Sequence, residues 1–279
     1  MIMKIWVDTS IVEEVEQVYA IGIADGVTTN PTNMKMAVDQ FKEKGQNIEL
    51  EKYITRILTI AKGTPVSLEV IGTTYDEMLF DAEMLFNKFN RIAHNVYIKI
   101  PFNTAGEFGS PKAGDGLKVL RELAKKKIPT NCTLVFTPEQ CLLAAKAGAT
   151  VISPFAGRID DKLRKSMGIP FSRGDYYPAE GMIKDRQLVQ DNGILSGVDL
   201  VQKCVDVVKK YNLKSEIVAS SIRNPRQLRE VAFAGSHIAT CPFRVIMESL
   251  EHIKTVEGVQ DFTKDVVPEY RELIRGKDK

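Results

Sequence analysis

The chain has 279 residues, 44% of them hydrophobic and 27% charged, and its net charge of +2 gives no strong field for nucleic acid or a membrane surface. No apolar run approaches the length of a membrane span, and no signal-peptide segment follows Met1. The four cysteines are scattered without a CxxC pair, which predicts a cytoplasmic protein with reduced thiols. The three histidines lack metal-ligand spacing, which predicts no metal site. From the charge and the apolar runs, we expect neither nucleic acid nor a membrane among the partners.

Short apolar and β-branched segments alternate with segments of helical pattern along the chain. The predicted strands are residues 4–8, 26–30, 65–70, 96–101, 129–135, 150–156, 216–222 and 237–242. Capping-box patterns at Ser10-x-x-Glu13, Thr74-x-x-Glu77 and Thr137 to Gln140 predict helices after the first, third and fifth strands. Gly148 and Gly235 are expected to end two later helices.

Eight strand–helix units in a chain of this length predict a single (β/α)₈ TIM-barrel domain over residues 1–279. A doubly wound sheet is the alternative, but no GxGxxG motif follows the first strand. The interval between the sixth and seventh strands is the longest. Its excess, about residues 160–195, is rich in Gly and Pro and predicts a long loop with at most one helical turn, where barrel enzymes carry substrate-covering insertions. A smaller Gly-rich insertion covers residues 103–116.

Lys99 interrupts the fourth predicted strand, Val96-Tyr97-Ile98-Lys99-Ile100-Pro101, whose pattern is that of a buried parallel strand. An ammonium group is costly to desolvate, so burial favours the free amine. A free amine is a nucleophile that can form a Schiff base with a carbonyl substrate. The non-catalytic alternative is a strand-end lysine whose ammonium reaches solvent.

Polar side chains are expected at the carboxyl ends of every predicted strand except the eighth, the end where barrel enzymes place their chemistry. Because alternate residues of a strand share a face, several of these side chains point the same way in pairs. Each alone has a structural explanation, such as a helix cap or a turn, but around one lysine they predict carbonyl chemistry on a phosphorylated sugar. The polar residues are Asp8, Thr28, Asn30, Glu69, Asn131, Thr133, Ser153, Ser221 and Arg223, with Phe155 on the same face as Ser153 and Arg158 just after the sixth strand.

Six sequence blocks, in order along most of the chain, resemble a known family. They are VDTS (7–10), GVTTNPT (26–32), YIKIP (97–101), IPTNCTLVF (128–136), SPFAGRIDD (153–161) and ASSIRNPRQ (219–227). Together they resemble the transaldolase family, particularly its short branch, which includes fructose-6-phosphate aldolase-like members. The two insertions, especially 160–195, depart from the short-branch pattern.

The resemblance implies a Schiff-base mechanism that needs no cofactor. Lys99 would attack the C2 carbonyl of a ketose phosphate, and Asp8 would take the proton of the C4 hydroxyl. A water held by Glu69 and Thr133 would shuttle protons during Schiff-base formation. The implied substrate-binding residues are Asn30, Asn131 and Ser153 at the dihydroxyacetone hydroxyls, Arg158, Ser221 and Arg223 at the phosphate, and Thr28 and Phe155 beside them.

The implied reaction is transfer of a dihydroxyacetone unit from sedoheptulose 7-phosphate to glyceraldehyde 3-phosphate in the pentose phosphate pathway, by a homo-oligomeric enzyme. The alternatives are a lyase that releases dihydroxyacetone, a transaldolase for an uncommon anionic sugar, and a silent barrel that binds phosphosugars. Aldolase-like members carry Gln at the position of Glu69 and Tyr at that of Phe155, so both residues here favour the transferase. A silent barrel would lose the lysine or a carboxylate, and this chain keeps them.

Overall fold

The computed structural model describes residues 2–45 and 47–276. Its barrel strands are β1 (Lys4–Asp8), β2 (Gly26–Thr28), β3 (Val66–Glu69), β4 (Val96–Pro101), β5 (Thr130–Val135), β6 (Val151–Pro154), β9 (Glu216–Ala219) and β10 (Ile238–Cys241), and a separate hairpin is formed by β7 (Ile183–Lys184) and β8 (Gln187–Leu188). The barrel strands pair in parallel and close in the order β1-β10-β9-β6-β5-β4-β3-β2. The predicted (β/α)₈ barrel is therefore confirmed, and the doubly wound alternative is wrong.

Helices follow the strands around the outside of the barrel. They are α1 (Val12–Ile21), α2 (Pro31–Glu43), α3 (Leu50–Ile60), α4 (Tyr75–Ala93), α5 (Asp115–Lys125), α6 (Pro138–Ala147), α7 (Ala156–Met167), α8 (Gly197–Lys210), α9 (Pro225–Phe233), α10 (Phe243–Ser249), α11 (Ile253–Lys264) and α12 (Pro268–Arg275). In the described part of the chain, no helix combines the length and the apolar character needed to cross a membrane.

The predicted helix ends are mostly confirmed. Thr74 and Glu77 form a capping box at α4, and Gly148 ends α6 with a left-handed φ of 94°. The predicted Ser10 cap is wrong. Helix α1 begins one residue later than a Ser10 cap requires, after Ile11, and the neighbouring Thr9 hydroxyl accepts the Ile11 N–H at 3.0 Å instead.

The barrel interior is apolar at one end and polar at the other. A buried cluster fills the amino-terminal end, made of Trp6, Val151, Val218 and Ile238 with Tyr97 packed against it. Each of these residues lies two positions before a polar residue, and alternate side chains of a strand share a face. The polar residues that follow them at the carboxyl end are Asp8, Ser153, Ser220, Thr240 and Lys99, respectively. The same register that packs the apolar end therefore directs the polar side chains into one space.

The two predicted insertions are shorter than expected because helices extend into them. Helix α7 continues to Met167, where Gly168 ends it with a φ of 66°, so the predicted boundary at about residue 160 falls inside a helix. Residues 168–195, called the strap below, contain the β7–β8 hairpin and no helical turn. The smaller insertion ends in a 3₁₀ turn at Pro111–Gly114, directly before α5.

Candidate active site

A cavity of about 970 Å³ opens at the carboxyl end of the barrel. It is lined by every predicted site residue except Asn131, which is fully buried. The predicted residues that line it are Asp8, Thr28, Asn30, Glu69, Lys99, Thr133, Ser153, Phe155, Arg158, Ser221 and Arg223. Seven strands and the loops after them thus bring these side chains together from distant parts of the sequence.

Lys99 lies at the inner end of this cavity and is only 6% exposed. The β3–β4 register pairs Lys99 with Glu69, and the lysine Nζ lies 3.1 Å from Glu69 Oε2. The same Nζ donates a hydrogen bond to the carbonyl oxygen of Thr29 at 3.1 Å. The amine therefore points into the barrel, and the interpretation of Lys99 as a strand-end lysine that reaches solvent is wrong.

Asp8 is held through one of its two carboxylate oxygens. Its Oδ1 accepts hydrogen bonds from Asn33 Nδ2 at 2.9 Å, Thr28 Oγ1 at 3.2 Å and Asn30 Nδ2 at 3.4 Å. Burial raises the pKa of Asp8 above its ordinary value, while the charge of Lys99 and the hydrogen bonds from Thr28 and Asn33 act in the opposite direction. No hydrogen bond from a described residue reaches Oδ2, so that oxygen is free to accept a proton from a ligand.

Thr133 presents a buried hydroxyl without a hydrogen-bond partner among the described residues. The next residue, Leu134, has a φ of 59°, which is rare for a leucine, and the β5–β6 register shifts between Cys132 and Val135. Such a bulge redirects side chains at the end of a strand. An unpaired buried hydroxyl costs free energy unless a water or ligand completes it, so this arrangement suits a bound molecule.

The outer part of the cavity is basic. Arg223 follows β9, is 9% exposed, and its Nη2 lies 2.8 Å from Asp161 Oδ2, while its Nε has no hydrogen-bond partner among the described residues. Arg158 stacks on the ring of Phe155, with its guanidinium carbon 5.1 Å from the ring centroid. Guanidinium groups bind phosphate or carboxylate through paired N–H donors, so this wall suits an anion.

Most of the chain is similar to known proteins. Residues 5–274 match the family described as transaldolase/fructose-6-phosphate aldolase. The chain belongs to this family. Curated relatives named "Probable transaldolase" include those of Clostridium botulinum and Herpetosiphon aurantiacus, each 35% identical over 94% of this chain and over 96% and 94% of the relative, respectively. Another, from Thermoplasma volcanium, is 34% identical over 94% of this chain and 95% of the relative.

Among the predicted site residues, Asn131 lies behind the cavity wall. Ser153 Oγ donates to Asn131 Oδ1 at 2.8 Å, and Asn131 Nδ2 donates to Ser67 Oγ at 3.1 Å. Asn131 therefore orients the Ser153 hydroxyl at the cavity wall, and the Ser67 end of this chain of hydrogen bonds was not predicted from the sequence.

Several cavity residues were missed by sequence reasoning. The eighth strand does offer a polar group: Thr240 lines the cavity, and its Oγ1 lies 2.5 Å from Thr28 Oγ1. Its place two residues after the inward Ile238 was the signal that could have found it. Asn33, in the first turn of α2, supports Asp8. Three further additions are basic: Lys162 and Lys165 on α7, and Arg173 on the strap.

Proposed function

We propose that this protein is a transaldolase, which transfers a dihydroxyacetone unit between sugar phosphates through a Schiff base on Lys99. The observation that carries the proposal is the buried Lys99 amine, 3.1 Å from Glu69 at the inner end of a cavity whose outer wall is basic. A phosphorylated ketose has the matching polarity, with a carbonyl near one end and a dianion at the other. The natural reaction proposed is sedoheptulose 7-phosphate with glyceraldehyde 3-phosphate, giving erythrose 4-phosphate and fructose 6-phosphate in the pentose phosphate pathway.

In the first half-reaction, the Lys99 amine attacks the C2 carbonyl of the donor and the resulting carbinolamine loses water to give an iminium. Glu69 and Thr133 are proposed to hold the water through which these protons move. Asp8 Oδ2 then accepts the proton of the C4 hydroxyl. The C3–C4 bond breaks, its electron pair moves toward the iminium, and an aldehyde leaves while a three-carbon enamine stays on Lys99.

In the second half-reaction, the enamine carbon attacks the carbonyl of an acceptor aldehyde, and Asp8 returns its proton to the new C4 hydroxyl. Hydrolysis of the iminium then releases the product ketose and the free amine. Ser153, oriented by Asn131, and Asn30 are proposed to hydrogen-bond the dihydroxyacetone hydroxyls. Arg158, Ser221 and Arg223 are proposed to bind the phosphate of donor and acceptor in turn.

Phe155 favours transfer over release of dihydroxyacetone. Its ring lines the cavity and packs 5.8 Å from the ring of Phe136, and a phenylalanine has no hydroxyl with which to protonate the enamine or orient a water. The enamine is therefore expected to persist until an aldehyde arrives. The aldolase alternative requires the opposite behaviour.

The test is incubation with fructose 6-phosphate, with and without erythrose 4-phosphate. A transaldolase consumes the donor in a sustained way only when the acceptor is present, and Lys99→Ala should abolish consumption. Steady release of free dihydroxyacetone without acceptor would establish the lyase. Donor consumption only with a sugar bearing another anionic group would establish the third alternative.

We further propose that the protein is a homo-oligomer. Helices α11 and α12 contain no buried residue, yet they carry large apolar side chains, and unpaired apolar helix faces of this kind usually contact another subunit. These side chains are Val256, Val259, Phe262, Tyr270, Leu273 and Ile274. Light scattering should show a smaller assembly for a chain that ends at Leu250 than for the full chain. The four buried, unpaired cysteines support the proposed cytoplasmic location.

A further inference from the structure

The strap is fastened to the barrel on both sides of Arg173. Arg164 of α7 is 5% exposed, and its guanidinium carbon lies 5.2 Å from the ring centroids of both Phe171 and Tyr177. Its Nη2 donates to the carbonyl of Asp175 at 2.9 Å, and the side chain of Asn224 donates to the carbonyl of Gly174 at 3.1 Å. The backbone around Arg173 is therefore held at a fixed place over the carboxyl end of the barrel.

This attachment puts the Arg173 side chain at the cavity. Arg173 lines the main cavity and also an adjoining one of about 350 Å³, and the two cavities share Asp8 and Arg223. Burial raises the pKa of Asp8, and the charge of Arg173 is one of the influences that oppose this rise. Burial lowers the pKa of Arg223, and the charge of Arg173 lowers it further. Arg173 is exposed, and no carboxylate of a described residue lies within 4.0 Å of its guanidinium.

The outer cavity consequently holds more positive than negative charge. Its lining contains the guanidiniums of Arg158, Arg173 and Arg223, the ammonium of Lys165, and the carboxylate of Asp161, which is paired with Arg223 at 2.8 Å. Lys162 is paired with Asp191 at 2.5 Å. Three guanidiniums around one carboxylate repel one another until an anion binds, and a phosphate monoester carries a charge of about −1.5 to −2 at neutral pH. The net positive charge of this cluster therefore matches a dianion better than a monoanion.

We propose that Arg173 is a specificity-determining residue that contacts the anionic group of the substrate together with Arg158 and Arg223. The strap thereby adds a third guanidinium to an anion site that the barrel loops alone supply with two. Arg173 lies outside the six sequence blocks that resemble the family, so this contact is a property of the insertion. The identity of the sugar rests on the proposed function, whereas the contact with the anion can be measured with inorganic phosphate alone.

The test compares Arg173→Gln with Arg186→Gln. Arg186 is a matched control because it is an exposed arginine of the same strap, in the turn of the β7–β8 hairpin and outside both cavity linings. Isothermal titration with inorganic phosphate should give a Kd roughly tenfold higher for Arg173→Gln than for the wild type, because one charge-assisted contact is lost. Arg186→Gln should match the wild type. Arg173→Lys, which keeps the charge, should recover part of the affinity.

The same variants are then assayed with fructose 6-phosphate and erythrose 4-phosphate. Arg173→Gln should raise KM by a similar factor and leave the melting temperature unchanged, since the side chain is exposed. Equal phosphate Kd values for Arg173→Gln and the wild type would overturn the assignment of Arg173. Failure of the proposed function would be seen separately, as the absence of a borohydride-trapped adduct on Lys99 in the wild type.

Discussion

Gly157→Ala is the substitution that most directly links the packing of α7 to the anion site. Gly157 is buried in the first turn of α7, against the loop that follows β9. A Cβ added there would lie 2.2 Å from the carbonyl oxygen of Ser221 and 2.4 Å from Arg223 Nε. Ordinary contacts of a Cβ begin near 3.4 Å, so the loop would have to withdraw by more than 1 Å.

Gly157→Ala should lower both the stability of the protein and its affinity for substrate. Overpacking a tight site costs about 1–3 kcal/mol of stability, which lowers Tm by several degrees in a chain of this size. A misplacement of about 1 Å in substrate-positioning groups can reduce the rate by roughly 100-fold. Because the shift falls on Ser221 and Arg223 and not on Lys99, we expect KM for fructose 6-phosphate to rise at least about tenfold. Trapping of unphosphorylated dihydroxyacetone on Lys99 should persist.

The assay compares Gly157→Ala with Gly114→Ala by steady-state kinetics and thermal unfolding. Gly114 is a suitable control because an added Cβ meets no atom within 4 Å and its φ of −93° suits alanine. A Gly157→Ala protein with the KM and the Tm of the wild type would refute the argument that this glycine allows α7 to support the anion site.

Three further predictions concern single groups. Asp8→Asn should leave Schiff-base trapping intact but nearly abolish carbon–carbon cleavage in single-turnover assays. In the wild type, burial raises the pKa of Asp8. As the pH is lowered, the cleavage rate should therefore begin to decline at a higher pH than it would with an ordinary aspartate. Phe155→Tyr should increase release of free dihydroxyacetone and decrease transfer to erythrose 4-phosphate, measured by product analysis; an unchanged product ratio would contradict the role given to Phe155. Burial raises the pKa of Asp160 to about 7, so the folded state keeps a proton that the unfolded state has already lost above about pH 4. Stability from this group is therefore present at low pH and is lost as pH rises toward 7, and urea titrations at several pH values should show a smaller decline for Asp160→Asn than for the wild type.

Much of the fold was predictable because parallel strands buried on both faces give near-continuous apolar segments, and all eight barrel strands were found on that basis. The period of two residues also located site positions, since Trp6 and Asp8, or Tyr97 and Lys99, must share a face. Thr240 was missed because threonine is an ordinary strand residue, and only its register with Ile238 reveals that it faces the cavity.

The remaining differences arise where tertiary contacts decide the structure. The strap has no hydrophobic period. Its course is fixed by contacts from Arg164 on α7 and from Asn224, which precedes α9, so the sequence could not place Arg173 at the cavity. At the start of α1, the Thr9 hydroxyl accepts the N–H of Ile11 in the preceding turn, and the helix begins after Ile11 without a side-chain cap. The length of α7, by contrast, could have been predicted, because Ile159, Leu163 and Met167 recur every four residues and are all buried.

The most direct test of Schiff-base catalysis at Lys99 is reduction with borohydride in the presence of fructose 6-phosphate, followed by peptide mass spectrometry. A Schiff base on Lys99 should leave a reduced three-carbon adduct on the peptide that contains Lys99, and Lys99→Ala should carry no such adduct. Lys99 is the lysine whose Nζ faces a carboxylate inside the barrel, whereas Lys162 and Lys165 lie on the exposed wall of the same cavity and serve as internal controls. An adduct on either of those lysines, or none on Lys99, would contradict the proposed mechanism.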